Sequence, residues 1–235
     1  GDRLAEYSFE TVQAGIDLGY SVNRDAEARF GFVVGNQRAK RRIGDPLLPN
    51  ISGRFSAASV RFDYDGLDDS QIPTRGVRSN SSITYYFDAA GISGGLPQAE
   101  TNFSGLFPVK GRYSALTFGA AGTSFGKTPS ALQQFSVGGL FNVGGYGRDE
   151  FRGSNLLRGG FGFLRETYAL PAFIGGKVYL GGWYEGGSVF EKFNLARYRQ
   201  SATGGALMET PLGPIFIGGS LGDGGRGKFY FSLGR

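Results

Sequence analysis

The side chains that most often perform catalysis or hold metals are missing from this sequence. Its 235 residues include no histidine and no cysteine. Zinc sites built on these two residues, cysteine nucleophiles and Ser-His-Asp triads are therefore excluded within the chain. We expect a function that needs no catalytic residue, with no enzyme activity in this chain and no cofactor.

Charged side chains are the remaining candidates for a functional site. Glu185 follows Tyr179, Gly181 and Trp183 at every second position. In an extended strand these residues share one side, and Val178 and Leu180 lie on the other. Further charges occupy the polar side of other alternating segments, where a screened charge network is a simpler explanation than a site. These residues are Asp17, Arg29, Arg61, Asp63 and Arg78.

Composition and charge narrow the class of protein. Glycine accounts for 42 residues, more than twice its usual share of ~7 %, and there are 21 Phe and 12 Tyr. Lys and Arg total 25 against 20 Asp and Glu, but they are interspersed. A nucleic-acid binder gathers its basic residues on one face, so we expect no nucleic-acid partner. No window of ~20 apolar residues could form a transmembrane helix.

Alternation of apolar and polar residues runs through most of the chain and predicts an all-β protein. The segment Phe55 to Asp65 is the clearest case, with Val60 and Phe62 on one face and Ser59 and Arg61 on the other. We count about eleven such segments. They lie near 12–22, 28–34, 55–65, 78–87, 99–109, 113–125, 155–170, 176–190, 199–209, 213–221 and 229–233.

Two kinds of protein show this alternation. In a soluble sandwich the apolar face is buried, whereas in an outer-membrane barrel it meets lipid and the polar face lines the lumen. Segments of ten or more residues favour the barrel, because a membrane-spanning strand needs ~9–11 residues. We therefore predict that residues 1–235 form one antiparallel transmembrane β-barrel domain, with the soluble sandwich as the alternative.

The connections also favour a membrane barrel, because short and long ones alternate. The predicted compact turns lie at Gly111, at 171–175 and at 210–214. The predicted long, external connections are 35–53, 88–98, 126–154 and 188–198. Two connections depart from this pattern. Segment 65–76 is long although it falls at the end with the short turns, and 223–227 is short although it falls at the end with the long connections. The basic run Arg38-Ala-Lys-Arg-Arg42 falls in an expected external loop, either solvated or in contact with lipopolysaccharide phosphates.

Three motifs resemble a known family. They are Asp63-Tyr-Asp-Gly-Leu-Asp-Asp-Ser-Gln-Ile-Pro-Thr-Arg-Gly76, the glycine-rich stretch 135–153 with Gly-Gly-Tyr-Gly at 144–147, and Thr210-Pro-Leu-Gly-Pro-Ile-Phe-Ile-Gly-Gly219 with the ending 228–235. Together they resemble the bacterial surface antigen domain, the translocator barrel of the BamA/TpsB superfamily. The likeness covers about residues 55–235. Within that superfamily the chain looks most like the barrel of patatin-like type Vd autotransporters.

The resemblance implies a role for the glycine-rich loop. In the superfamily an Arg-Gly-Tyr tip folds into the lumen and meets acidic residues on the wall. Gly145 and Tyr146 match this pattern, but Gly144 stands at the arginine position. Arg148 or Arg152 could take the arginine's role near Glu185, or both could be solvated. Glu185 is then either the anchor of the loop or an ordinary wall charge in a wet pore.

The resemblance also implies a function and a location. The resemblance implies a translocator in the bacterial outer membrane that secretes or anchors a passenger domain. In the type V branch that passenger would be a patatin-like lipase. Its partners would be outer-membrane lipid and lipopolysaccharide, the passenger polypeptide and the barrel assembly machinery, with a second copy of the chain as a further candidate. The alternatives are a passive channel and an assembly factor for outer-membrane proteins.

Strand parity gives one more expectation. If Arg235 ends in the periplasm, eleven strands place the start of the first strand, near Tyr7, on the external side. Bacterial single-chain barrels usually have an even number of strands, so at least one strand would precede Gly1 or be supplied by another chain. The sixteen-stranded barrel of the family would require five. The alternative is an unrecognised twelfth strand within 126–154.

Overall fold

Eleven long strands form one sheet in which every neighbouring pair is antiparallel. The computed structural model describes residues 5–44, 50–171 and 175–234. The strands are β1 Ala5–Ser21, β2 Ala26–Gly44, β3 Ile51–Asp65, β4 Gly76–Asp88, β5 Leu96–Pro108, β6 Tyr113–Thr123, β7 Phe135–Val137, β8 Phe151–Gly153, β9 Asn155–Ala169, β10 Lys177–Phe190, β11 Arg199–Met208, β12 Ile215–Gly222 and β13 Arg226–Leu233. Short 3₁₀ turns cover Phe193–Leu195 and Asp223–Gly225. The predicted count of eleven main-sheet strands is confirmed, and the order is β1 to β6 followed by β9 to β13.

The apolar face of the sheet points outward. Val12 is 76 % exposed and Ile16 is 72 % exposed, and the apolar positions of β2, β3 and β4 are exposed in the same way. On β10 the two faces separate cleanly, with Leu180 and Tyr184 exposed and Tyr179 and Trp183 buried. A soluble sandwich would bury the face that is exposed here, so the arrangement is that of a barrel whose outer surface meets lipid.

Connections alternate between the two ends of the sheet, as the sequence predicts, but one of them is much shorter than expected. β2 continues to Gly44 and β3 begins at Ile51, so most of the predicted loop 35–53 is strand. The basic run 38–42 therefore lies on β2 and not in a loop. Polar residues remain in a strand here because β2 pairs with β1 on one side and β3 on the other, which satisfies its backbone groups.

The long connection between β6 and β9 folds back into the lumen. Within it, β7 and β8 pair as a separate two-stranded sheet, so this connection contains no twelfth barrel strand. Its Val137, Val143 and Tyr146 pack with Ala120 of β6 and Leu156 of β9 in one buried cluster. We call residues 124–154 the lumenal loop. A buried apolar cluster with the barrel wall holds the lumenal loop in place, because it removes apolar surface from water.

The opposite end of the lumen is also partly filled. In the turn between β3 and β4, Asp68 accepts hydrogen bonds from the backbone N–H groups of Thr74 and Arg75, at 2.9 and 3.0 Å. This turn carries Ile72 to a buried position at 3 % exposure. Between Ile72 and the lumenal loop lies a cavity of about 440 Å³, lined in part by Phe118, Trp183 and Arg158.

The start of β1 and the end of β13 lie at opposite ends of the barrel, because the number of antiparallel strands, eleven, is odd. No ladder joins β1 to β13 within residues 5–44, 50–171 and 175–234. Gly1 and Arg235, and part of the turn predicted at 171–175, lie outside the described residues.

The described ranges contain no helix that is long and apolar enough to span a membrane.

Candidate functional site

Glu185 lies on the inner wall of the barrel. β10 carries it on the same face as Tyr179 and Trp183, as the alternation predicts, and only 1 % of its surface is exposed. A buried carboxylate is costly unless hydrogen bonds compensate for the water that it loses. The contacts of Glu185 therefore decide what it can do.

Four donors surround the Glu185 carboxylate. The backbone N–H groups of Val143 and Gly144, at the tip of the lumenal loop, donate to it at 3.1 and 2.9 Å. From β11, the hydroxyls of Ser201 and Thr203 donate to Oε1 at 3.2 and 3.3 Å. Hydrogen bonds to an ionised acceptor are about twice as strong as those between neutral groups. Glu185 thus clamps the loop tip against the barrel wall.

Glycine allows the tip to come this close. A β-carbon at Gly145 would overlap the backbone of Gly222 on β12, and one at Gly144 would lie 3.0 Å from Thr203 Oγ1. Any larger residue at position 145 would force the loop away from the wall, since backbone cannot move aside as a side chain can.

Two tyrosines also attach the lumenal loop to the hairpin of the last two strands, β12 and β13. The Tyr146 hydroxyl donates to Asp223 Oδ2 at 3.0 Å, and the Tyr230 hydroxyl donates to the Gly144 carbonyl at 2.6 Å. The Gln200 backbone N–H lowers the pKa of Asp223, and Tyr146 adds to this effect. Burial raises the pKa of Tyr146, with a further contribution from its bond to Asp223. Asp223 therefore stays ionised and Tyr146 stays protonated around neutral pH, as their hydrogen bond requires.

The expected pair between a loop arginine and Glu185 is not formed. The Arg148 side chain is 93 % exposed and lies 3.9 Å from Asp149. Arg152 donates to the Ala131 carbonyl at 3.1 Å, and its guanidinium carbon lies 4.8 Å from the centre of the Phe9 ring. Backbone amides take the place of the arginine because Gly144 lets them reach the carboxylate directly.

A cation from the wall, and not from the loop, faces the Tyr146 ring. The guanidinium carbon of Arg226, on β13, lies 5.1 Å from the ring centre, and this residue forms a 2.7 Å ion pair with Glu150 of the lumenal loop. Asp223, Arg226 and Tyr230 were not among the predicted site residues. For Tyr230 a signal exists, because it alternates with the outward Phe229 and Phe231.

The other inward charges form local pairs, as expected of a charge network. Asp17 pairs with Arg61, and Asp63 accepts a hydrogen bond from Asn80. Arg78 lies 3.5 Å from Asp65, and Arg29 lies 2.9 Å from Glu27. Across the described part of the chain, no group of three or more acidic side chains could hold a metal ion.

Solved structures share this architecture. BamA from Haemophilus ducreyi lacking POTRA domains 1–3 superposes with a TM-score of 0.73 at 16 % identity, over 97 % of this chain and 53 % of that one. CdiB from Escherichia coli superposes with a TM-score of 0.67 at 14 % identity, over 97 % of this chain and 43 % of that one. The chain has the fold of the BamA and CdiB barrels.

This result confirms the predicted fold class, an all-β transmembrane antiparallel barrel, and supports the BamA/TpsB resemblance at the level of the fold. The chain spans about half of the length of that shortened BamA chain and less than half of the CdiB chain. No protein-family model matches the sequence, and no curated protein is significantly similar to it. The finer likeness to patatin-like type Vd autotransporters stays a prediction.

Proposed function

We propose that this chain is the bacterial outer-membrane barrel of a system that moves polypeptides across, or into, that membrane. The observation that carries the proposal is the lumenal loop, which a buried glutamate and two tyrosines hold against the inner wall. A barrel that fills its own lumen in this way is poorly suited to passive diffusion. The fold that it shares with BamA and CdiB supports the same conclusion.

The finer proposal is secretion or anchoring of a passenger by a type V system, with a patatin-like lipase as the passenger. The motif at 210–219, the ending 229–235 and the Glu185-Gly-Gly strand end support it, since they resemble that branch. Under this proposal the barrel itself is not an enzyme, and any lipase chemistry belongs to the passenger. The partners would be the passenger, membrane lipid, the barrel assembly machinery and a second copy of the chain.

Removal of the gene, followed by quantitative proteomics of the culture medium and outer membrane, tests the proposal. We expect one exported or surface-anchored polypeptide to disappear and to return on complementation with the full-length protein. A general fall in outer-membrane barrels would indicate an assembly factor, which agrees with movement of polypeptides into the membrane and contradicts the secretion of one passenger. Unchanged proteomes with slower uptake of small solutes would indicate a passive channel and overturn the proposal.

Single-channel recording provides a second test. The full-length protein in a planar bilayer should stay mostly closed, and the Glu185→Gln variant should open more often because its loop tip is released. A wild-type protein that conducts steadily, with no effect of the substitution, would contradict the role given to the loop.

A further inference from the structure

Basic side chains line the outer surface of β2 where the apolar band ends. The outward positions of this strand are apolar at Phe30, Phe32 and Val34 and become polar from Asn36 onward. Arg38 and Lys40 follow on the same face, and both are exposed. The sequence suggested a loop at this point, so their place on the lipid-facing side of a strand is a result of the structure.

A third cation joins them from β3. In the β2–β3 ladder Asn36 is opposite Arg54 and Arg38 is opposite Ser52, so the exposed Arg54 side chain is a diagonal neighbour of Arg38. Side chains in these relations are about 7 Å apart. We call Arg38, Lys40 and Arg54 the basic stripe.

Among the described residues, none of the neighbouring acids forms an ion pair with a member of the basic stripe. Glu10 of β1 is opposite Arg38 in the ladder, but the two form no ion pair. Glu6 lies 3.9 Å from Arg42, and Asp88 of β4 accepts a hydrogen bond from Ser56 at 3.2 Å. In the described part of the chain, no side-chain ion pair or hydrogen bond involves a member of the basic stripe.

The height of the basic stripe matches that of lipid headgroups. Strand rise and the usual tilt of ~40° place Arg38 about 25 Å above Ala28, close to the full height of the apolar band of an outer-membrane barrel. Just below it, Phe32, Tyr85 and Phe87 form an outward aromatic cluster, with ring centres 5.2 and 6.3 Å apart. Aromatic girdles mark the membrane interface in such barrels.

We propose that the basic stripe binds the phosphate groups of a phosphorylated glycolipid of the lipopolysaccharide class in the outer leaflet. Arginine guanidinium groups bind phosphate oxygens in pairs, and the aromatic cluster and apolar band below offer a surface to the acyl chains. The stripe lies at the end of the barrel with the long connections. The choice of leaflet therefore rests on the proposed function, in which that end faces outward.

Native mass spectrometry of the full-length protein in detergent micelles, with bis-phosphorylated lipid A added, tests the site. We expect the wild type to retain lipid A and the Arg38→Gln/Lys40→Gln variant to bind it about tenfold more weakly, since each basic residue near an anionic surface adds to binding. Lys110→Gln/Arg112→Gln is the matched control, because it removes the same charge at the opposite end. Heat-modifiable migration in gels verifies that each variant is folded, and Arg54→Gln alone should give an intermediate loss.

Different probes separate the sources of phosphate. Dephosphorylated lipid A should be retained weakly, millimolar inorganic phosphate should not displace lipid A, and phosphatidylglycerol should bind less than lipid A. The proposal is overturned if the stripe variant retains lipid A as the wild type does, if the control loses as much, or if phosphate or phosphatidylglycerol binds equally well. The assay measures lipid binding in vitro and does not depend on secretion. A loss of the lipid-binding proposal therefore leaves the secretion proposal standing, and a failed secretion test does not change the result of this assay.

Discussion

Glu185 shows how one buried carboxylate can set the conformation of a distant loop. Its two loop donors lie about forty residues away in sequence, and its two hydroxyl donors come from the neighbouring strand. The carboxylate needs these donors because it has lost its water, and the loop amides need an acceptor for the same reason.

Glu185→Gln should release the loop tip. The amide offers one acceptor oxygen and turns an N–H₂ group toward donors, so loop docking should weaken by about 2 kcal/mol, or about thirtyfold. Hydrogen exchange at the Val143 and Gly144 amides measures this directly. Glu166→Gln is the matched control, because Glu166 pairs with Lys177 at 3.1 Å and makes no loop contact. Equal exchange in both variants would contradict the clamp.

Acid should also weaken the attachment of the loop, through Asp223. Because the folded state lowers the pKa of Asp223, its contribution is complete above its ordinary value of 3.8 and disappears as the pH falls through the lowered pKa. A spin label at Arg148→Cys, an exposed position in a chain without cysteine, should become mobile only below pH 3.8. In the Asp223→Asn background the label should already be more mobile at pH 7. Equal mobility of the label in the wild type and in the Asp223→Asn background at pH 7 would refute the contribution.

At the scale of single strands, the outward and inward faces have opposite requirements. Val60 and Phe62 of β3 are exposed on the face that meets lipid, whereas Ser59 and Arg61 lie on the inner face. The outer face can accept no uncompensated charge near the bilayer midplane. The inner face contains ion pairs such as that of Arg61 with Asp17.

Val60→Arg should therefore destabilise the barrel by ~2–4 kcal/mol, as arginine does near the midplane of outer-membrane barrels. Thr84→Arg on β4 is the control, since that position faces the lumen and is opposite Ser59 in the ladder. Urea unfolding in lipid vesicles gives both values. The assignment of faces is wrong if Thr84→Arg costs more than Val60→Arg.

For the whole molecule, the alternation of connections defines two ends. The lumenal loop, the connection 191–198 and the 3₁₀ turn Asp223–Gly225 share one end, and the turns at 66–75 and 109–112 share the other. Because all eleven main strands are antiparallel to their neighbours, successive connections lie at alternate ends. One orientation in the membrane then determines the side of every connection.

Labelling of single cysteines in cells tests that orientation. Asn194→Cys, on the end with the long connections, should react with a membrane-impermeant maleimide in intact cells. Lys110→Cys should react only after the outer membrane is permeabilised. The reverse pattern would invert the topology and remove the outer leaflet as the place of the basic stripe.

The sequence alone determined the strands and their faces, and it placed Glu185 on the inner wall. These features are local, because a period of two assigns each residue to a face once it lies in a strand. Only the tertiary structure showed which groups meet Glu185, since backbone amides of a loop bear no mark in the sequence, which offered Arg148 or Arg152 as the partner. It also decided that residues 38–42 are strand, since pairing of β2 with β1 and β3, and not side-chain polarity, sets how far a strand continues. Contacts across about forty residues, such as that of Gly144 with Glu185, depend on the path of the whole loop, which no local pattern specifies.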